Sequence, residues 1–271
     1  MWPLDLFSRL KRAKLMLHLG AHQVQAYTQV DRKWILRQSV LIDVPTVATW
    51  PQLERALQAL IAEMDMSASS VTVLLDSHWA PVCCVTAGQQ PFSPQSFKAL
   101  ARHRFARIYG AAAQAWRIES NYLVGDSAAL AFALPDDLQL KLMASLGDTI
   151  TFHPTLAHML VRGPDDIQAG LVQKALIEDD RMLALTWQNG NLLGCHPALD
   201  VPRSAEACLK ALSVERSRLE LPSELANDAA IKVFAQALRA QAAWPSVSQQ
   251  LKTPQGDVHW HLGLPGQGER T

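Results

Sequence analysis

Residues 15–42 read LMLHLGAHQVQAYTQVDRKWILRQSVLI, and this stretch predicts three consecutive β-strands. The first is the apolar run Leu15–Leu19, which ends at Gly20. The second, residues 23–30, alternates apolar with polar side chains, and the third, residues 33–42, is again rich in apolar ones. Such runs, separated by short polar turns, are typical of neighbouring strands in one sheet. We therefore expect a three-stranded antiparallel unit here.

Beyond this unit, helices and strands alternate. Helices are predicted where apolar residues recur at helical spacing, and strands where short apolar runs are bounded by turn residues. The predicted helices cover residues 50–65, 94–109, 127–134, 136–146, 154–161, 204–214 and 225–243. The predicted strands cover residues 71–75, 82–86, 116–122, 149–153, 170–177, 182–187, 192–196, 218–221 and 258–262.

The order of these elements repeats within the chain. Three strands followed by alternating helices and strands are predicted over residues 15–122 and again, in shortened form, over residues 170–262. Antiparallel strands followed by helix-linked strands give a mixed sheet with helices on its faces. The predicted fold class is therefore α/β, with two subdomains of mixed sheets flanked by helices. We place the first at residues 15–153 and the second, with a polar C-terminal tail, at residues 154–271.

Composition narrows the classes of function. Of 271 residues 49% are apolar, which is ample for a core, and the 25 basic residues equal the 25 acidic ones. Zero net charge argues against a globally basic nucleic-acid binder, so we expect no nucleic-acid partner. The four cysteines form no C-x-x-C pair, so we predict buried free thiols in a reducing compartment rather than a zinc site. Histidine pairs alone make weak ligand sets, and no metal is predicted.

The N-terminal arm, residues 1–14, is predicted to be a short basic amphipathic helix. Its apolar face carries Trp2, Leu6, Phe7 and Leu10. Its basic side chains are Arg9, Lys11, Arg12 and Lys14. The arm either packs on its own domain or docks on a partner or a membrane surface. Because few apolar groups would be buried, its membrane contact alone would be weak.

Four stretches carry a family resemblance. They are Leu6–Leu10 (LFSRL), Leu15–Gly20 (LMLHLG), Val71–Trp79 (VTVLLDSHW) and the segment 97–110 that ends in RFARIYG. Together with the duplicated layout, they resemble the actin-like, or ribonuclease-H-like, superfamily of paired domains. Within it, the chain is similar to the PilM-type pilus assembly proteins and the cytoplasmic domains of GspL-type secretion and MshI-type pilus proteins.

The resemblance implies a nucleotide cleft, but the residues that hold the phosphates are altered. Active members use two glycine-containing turns, each usually opened by an Asp that organises Mg²⁺. In the first turn of this chain Gly20 remains, but His18 stands where the Asp would be, and Mg²⁺ prefers oxygen ligands. The second turn contains Glu178, Asp179 and Asp180 and has no glycine, so its carboxylates would repel a phosphate.

A third part of the implied nucleotide site is also altered. The Gly-Gly loop that would hold adenine has no counterpart, since no glycine occurs between Gly194 and Gly256. We therefore expect no cofactor, no catalytic residue and degenerate phosphate turns. The resemblance then implies a non-catalytic cytoplasmic scaffold of a type IV pilus or type II secretion-like assembly. It would lie peripheral to the inner membrane and bind a short cytoplasmic segment of a membrane protein.

Two other classes of function stay open at this point. One is an actin-like ATPase with a rebuilt nucleotide site. The other is a serine hydrolase, because Gly125-Asp126-Ser127-Ala128-Ala129 resembles a G-x-S-x-G nucleophile elbow whose last glycine is replaced. Separately, Arg102, His103, Arg104 and Arg107 form a basic patch on the predicted helix 94–109, which is either a solvated face or a contact for an acidic partner or a lipid headgroup.

Overall fold

The computed structural model describes residues 15–30, 33–43, 48–64, 71–86, 93–122, 126, 128–147, 150–157, 170–178, 181–198, 202, 204–219, 230–235, 249–253 and 256–262. The strands are β1 (Leu15–Leu19), β2 (Gln23–Val30), β3 (Lys33–Leu41), β4 (Val71–Leu75), β5 (Val82–Thr86), β6 (Arg117–Ser120), β7 (Ala128–Leu134), β8 (Ile150–Pro154), β9 (Leu171–Ile177), β10 (Met182–Gln188), β11 (Asn191–Ala198), β12 (Ala230–Ala235), β13 (Gln249–Thr253) and β14 (Gly256–Leu262). The α-helices are α1 (Trp50–Ala62), α2 (Pro94–Tyr109), α3 (Asp136–Leu146) and α4 (Ala205–Arg218). Within these ranges no helix combines the length and the apolar character needed to cross a bilayer.

Two mixed sheets share one strand order. The first sheet runs β3-β2-β1-β4-β8 and the second runs β11-β10-β9-β12-β14, with β13 added at its edge. In each, the first three strands are antiparallel neighbours, and the next two are parallel to the first. The central strands β1 and β9 are buried along their whole length. The predicted α/β architecture with two mixed sheets of the same strand order is confirmed.

One face of the first sheet forms the larger core with helix α1. Leu53, Leu57 and Leu60 recur at helical spacing and pack against Leu17 and Leu19 of β1. All five are fully buried. Because each buried leucine contributes about 1.5–3 kcal/mol relative to exposure, this contact fixes the position of β1. This packing thus holds the end of β1 and the turn that follows it in position.

A third sheet is inserted between β4 and α3. It has the order β5-β7-β6 and lies between helix α2 and the second mixed sheet. Strand β7 alternates: Ala129, Ala131 and Ala133 face the helix, while Leu130 and Phe132 face the second sheet. Small residues therefore let α2 approach closely, and large ones fill the space toward the second sheet. The repeat was expected over residues 15–122, but β5 and β6 belong to the inserted sheet, and β8 (Ile150–Pro154) completes the first mixed sheet.

Several predicted elements are wrong. Residues 127–134 were expected to be helical, but 128–134 form β7, because a continuous apolar run suits a buried strand as well as a helix. The predicted helix 225–243 contains strand β12 instead, where Ile231 and Val233 are buried. The predicted strand 218–221 begins inside α4, which extends to Arg218. Strand β13 had no predicted counterpart.

All four cysteines are free and buried, as predicted. Burial raises the pKa of Cys83 and of Cys208 to about 12, and it also raises the pKa of Cys84 and Cys195. Because the thiolate is the reactive form, we expect no reaction of the native protein with a thiol reagent at pH 8. In guanidinium chloride four thiols should react. Fast labelling of the native protein would contradict this prediction.

Candidate functional site

The candidate site lies where strands of the two mixed sheets end. Asp76 follows β4 and Thr155 follows β8, which are neighbouring parallel strands of the first sheet. His18 is near the end of β1, and Glu178 follows β9, the central strand of the second sheet. Carboxyl ends of parallel strands meet at one edge of a sheet, which is where ligands bind in open α/β folds. These four side chains are all buried.

A buried histidine–aspartate pair occupies the first-sheet side of this cleft. His18 Nε2 lies 2.7 Å from Asp76 Oδ1, and both side chains are 0% exposed. Thr155 Oγ1 donates to the same oxygen at 2.8 Å. On its other side, His18 Nδ1 lies 3.3 Å from Gln25 Oε1, which also accepts from the Tyr27 hydroxyl at 2.6 Å. A ring nitrogen of His18 is therefore in direct contact with the Asp76 carboxylate.

The first turn is tied into the protein's own hydrogen bonds. The Gly20 N–H donates to the Gln23 carbonyl at 2.9 Å, closing the β1–β2 hairpin. The Gly20 carbonyl accepts from Trp79 Nε1 at 2.9 Å. A glycine turn holds phosphate by pointing free backbone N–H groups at it. The Gly20 N–H is committed to the Gln23 carbonyl, so in this conformation it does not point at a phosphate.

The Glu178 side chain, at the start of the second turn, reaches across the cleft to Ser77. The Ser77 N–H donates to both oxygens of the Glu178 carboxylate, at 3.0 Å to Oε1 and 3.2 Å to Oε2, and the Ser77 hydroxyl donates to Oε2. Ser77 is 4% exposed and Glu178 is 2% exposed. The Glu178 N–H donates to the Arg181 carbonyl at 2.9 Å, which fixes the turn. A carboxylate of the second sheet thus accepts from donors of the first sheet, as a bound anion would.

The turn after β4 is shaped to present Ser77. The Asp76 carbonyl accepts from the N–H groups of Trp79 and Ala80, at 2.9 and 2.8 Å. The Asp76 N–H donates to the Leu19 carbonyl at 3.1 Å, which continues the pairing of β4 with β1. These bonds close a tight turn and direct the Ser77 N–H across the cleft. Asp76 therefore pairs with His18 through its side chain and positions Ser77 through its backbone.

The structure brings together three of the predicted site residues, His18, Gly20 and Glu178. Asp179 and Asp180, the docking residues of the N-terminal arm, and Ser127 lie outside the described residues. Sequence reasoning did not assign roles to Asp76, Ser77 and Thr155. Their signal is visible in the sequence, since polar residues directly follow the buried strands β4 and β8. The contact of Ser77 with Glu178 could not be predicted from neighbouring residues, because the two are 101 positions apart in the sequence.

The serine hydrolase alternative is not supported. A nucleophile elbow needs a strand, a sharp turn and then a helix. The residues that follow Ser127 form strand β7, which pairs on both sides with β5 and β6. The helix that would direct its N-terminus at an oxyanion is therefore absent from 128–134.

Comparison with known proteins places the fold. No protein-family profile and no curated protein matches the chain. A Bacteroides thetaiotaomicron VPI-5482 protein with an actin-like ATPase fold and unknown function is similar with a TM-score of 0.59 and 12% identity, over 87% of this chain and 86% of that one. A PilM–PilN type IV pilus biogenesis complex is similar with a TM-score of 0.52 and 12% identity, over 83% and 82%. The cytoplasmic domain of EpsL, an inner membrane component of the type II secretion system of Vibrio cholerae, gives a TM-score of 0.46 and 13% identity, over 82% and 81%. The chain therefore has the actin-like ATPase fold.

Proposed function

We propose that this actin-like chain is a non-catalytic scaffold on the cytoplasmic side of a bacterial inner membrane, in a pilus or secretion assembly. The observation that carries the proposal is the Glu178 carboxylate, which bridges the cleft and accepts from Ser77. A protein can lose catalytic activity and keep its fold, because activity depends on the residues of the site and not on the fold itself. The fold shared with a chain of the PilM–PilN pilus complex supports the choice of assembly.

The chemistry of the cleft argues against the ATPase alternative. A phosphate entering this turn would meet the Glu178 carboxylate, and two anions in a buried space repel strongly. The Oδ1 atom of Asp76, a carboxylate at the edge of the cleft, already accepts from His18 and Thr155. To bind a nucleotide, the protein would have to expose Glu178 and break the Ser77 contacts. We therefore propose that the cleft is closed by the protein's own side chains and that no nucleotide is bound.

The scaffold role is tested in the parent bacterium. Deleting the gene is expected to abolish surface pili or the export of secreted proteins, and the wild-type gene should restore them. A Glu178→Gln variant, which retains one carbonyl acceptor for Ser77, should restore them as well, because no catalysis is lost. Normal assembly in the deletion strain would contradict the scaffold role.

The N-terminal arm is proposed to assist in recruitment to the membrane or to the partner. Basic residues near an anionic leaflet contribute roughly 1 kcal/mol each, and this contribution is screened by salt. Deleting residues 1–12 should therefore lower the membrane-bound fraction at low salt. Because β1 begins at Leu15, the truncated protein should keep its melting temperature. Fractionation and thermal melting measure the two effects.

The outcomes of this truncation are distinct. If the shortened protein unfolds, the arm belongs to the core and its docking role is wrong. If it stays folded with an unchanged membrane fraction, recruitment depends on the two lobes alone. Replacing Arg9, Lys11 and Arg12 with glutamine separates the electrostatic part from the apolar part, and only the electrostatic part should depend on salt.

A further inference from the structure

A groove on the inserted sheet lies outside the cleft described above. It is bounded by helix α2 and the end of strand β5, and its volume is about 350 Å³. Its lining consists of Val85, Thr86, Leu100, His103, Arg104, Arg107 and Ile108. The volume is near the lower end of the range of about 300–1,000 Å³ for ligand pockets. It has room for a few side chains of a binding segment.

The helix presents one continuous stripe to this groove. Leu100, His103, Arg104, Arg107 and Ile108 follow the spacing of three and four residues that places side chains on one helical face. The adjoining stripe of the same helix carries Phe97, Ala101 and Phe105, which are fully buried against the inserted sheet. These core contacts, with Leu100 packed beside them, hold α2 in place, whereas Arg104 and Arg107 are exposed and lie outside that core.

The charge of the groove is positive and unbalanced. None of the described residues that line it carries a carboxylate, and Arg104 and Arg107 are both exposed. Within the part of the chain that the structure describes, neither guanidinium makes an ion pair with a carboxylate. By contrast, Lys98 on the same helix pairs with Glu119 at 3.1 Å. Two neighbouring guanidinium groups beside apolar surface suit carboxylates, which arginine binds in a bidentate manner.

The strand side of the groove contains the end of β5, which is an edge strand among the described strands. In the order β5-β7-β6, strand β5 is an edge strand that pairs with β7 alone among the described strands. Edge strands carry backbone donors and acceptors that an added extended segment can pair with. A flat membrane surface cannot use such an edge, and the concave shape also favours a peptide.

We infer that this groove docks an acidic, extended segment of a partner protein, with acidic side chains at alternate positions. Alternate side chains of a strand point to one face and lie about 6.5–7 Å apart, which is close to the spacing of about 5–6 Å between side chains three positions apart on a helix. Two carboxylates on one face of the segment would then reach Arg104 and Arg107, which are both exposed. The inference rests on the proposed function only in assigning the segment to a membrane partner.

The test uses the full chain and a fluorescent octapeptide of alternating glutamate and valine, followed by fluorescence anisotropy at low and moderate salt. We expect saturable binding that weakens with salt and falls at least tenfold in the Arg104→Glu, Arg107→Glu double variant. The matched control is Arg102→Glu, which reverses a charge on the same helix outside the groove lining and should change the affinity less than threefold. A peptide with glutamine in place of glutamate should bind at least tenfold more weakly.

Several results would overturn the inference. They are no binding at 1 mM peptide, equal binding of the glutamine peptide, or equal weakening by Arg102→Glu. Binding to phosphatidylglycerol vesicles that the double variant abolishes, without any peptide binding, would assign the groove to lipid instead. Because the peptide assay needs no assembly machine, peptide binding with normal pili and secretion in the deletion strain would leave the groove in place and refute only the proposed function.

Discussion

Replacing Asp76 with alanine is expected to lower the free energy of unfolding by about 3–5 kcal/mol. The side chain is 0% exposed, and its Oδ1 accepts from His18 and from Thr155. Removing it leaves both donors in a dry interior without their acceptor, which costs more than the bonds themselves contribute. Domains are typically stable by about 5–15 kcal/mol, so the loss is a large fraction of the total. Guanidinium denaturation followed by circular dichroism measures it.

Two control variants separate this effect from a general response to losing a carboxylate. Asp76→Asn keeps the shape and one acceptor oxygen, so it should lose clearly less stability than Asp76→Ala. Asp137→Asn alters a side chain that is 73% exposed and should change stability by no more than about 0.5 kcal/mol. If Asp76→Ala and Asp137→Asn have the same small effect, the buried pair does not stabilise the protein.

Replacing Glu178 with alanine is expected to cost about 2–4 kcal/mol, since hydrogen bonds to a charged group contribute about 1.5–3 kcal/mol each. The substitution removes the acceptor of both the Ser77 N–H and the Ser77 hydroxyl, which are buried. It also deletes a direct link between the first and second sheets. We therefore expect faster hydrogen exchange at the Ser77 amide as well as lower stability, because the cleft opens more often.

Glu178→Gln is the matched control for this second prediction. It retains a carbonyl oxygen for the Ser77 N–H but removes the negative charge, so it should fall between the wild type and Glu178→Ala in both measurements. Unchanged Ser77 exchange in Glu178→Ala, together with a stability loss below about 0.5 kcal/mol, would refute a closed cleft.

The sequence predicted the strand-end turns that carry the site better than it predicted the side-chain contacts between them. His18, Gly20 and Glu178 were found because each lies at or just after a buried strand in a turn whose position in the repeat is recognisable. Ser77 and Thr155 were not assigned, because their roles depend on how the two lobes approach each other. No local pattern encodes the contact between Ser77 and Glu178, which are 101 residues apart.

The same limit explains the errors in the fold. Both three-stranded units and helices α1, α2 and α3 follow local periodicity and were predicted. Strand β7 was not predicted, because its sequence AALAFAL is apolar at every position. Its small side chains pack against α2 and its large ones against the second sheet, and this alternation is recognisable only when both neighbours are known. Tertiary contacts decide the conformation of such a run.

Titration of the full chain with Mg-ATP by isothermal calorimetry tests the closed cleft most directly. We predict no saturable heat up to about 1 mM nucleotide, because Glu178 accepts from the Ser77 donors that a phosphate would need and His18 and Thr155 both donate to Oδ1 of Asp76. A dissociation constant below about 10 μM, equivalent to about 7 kcal/mol of binding free energy, would contradict the account.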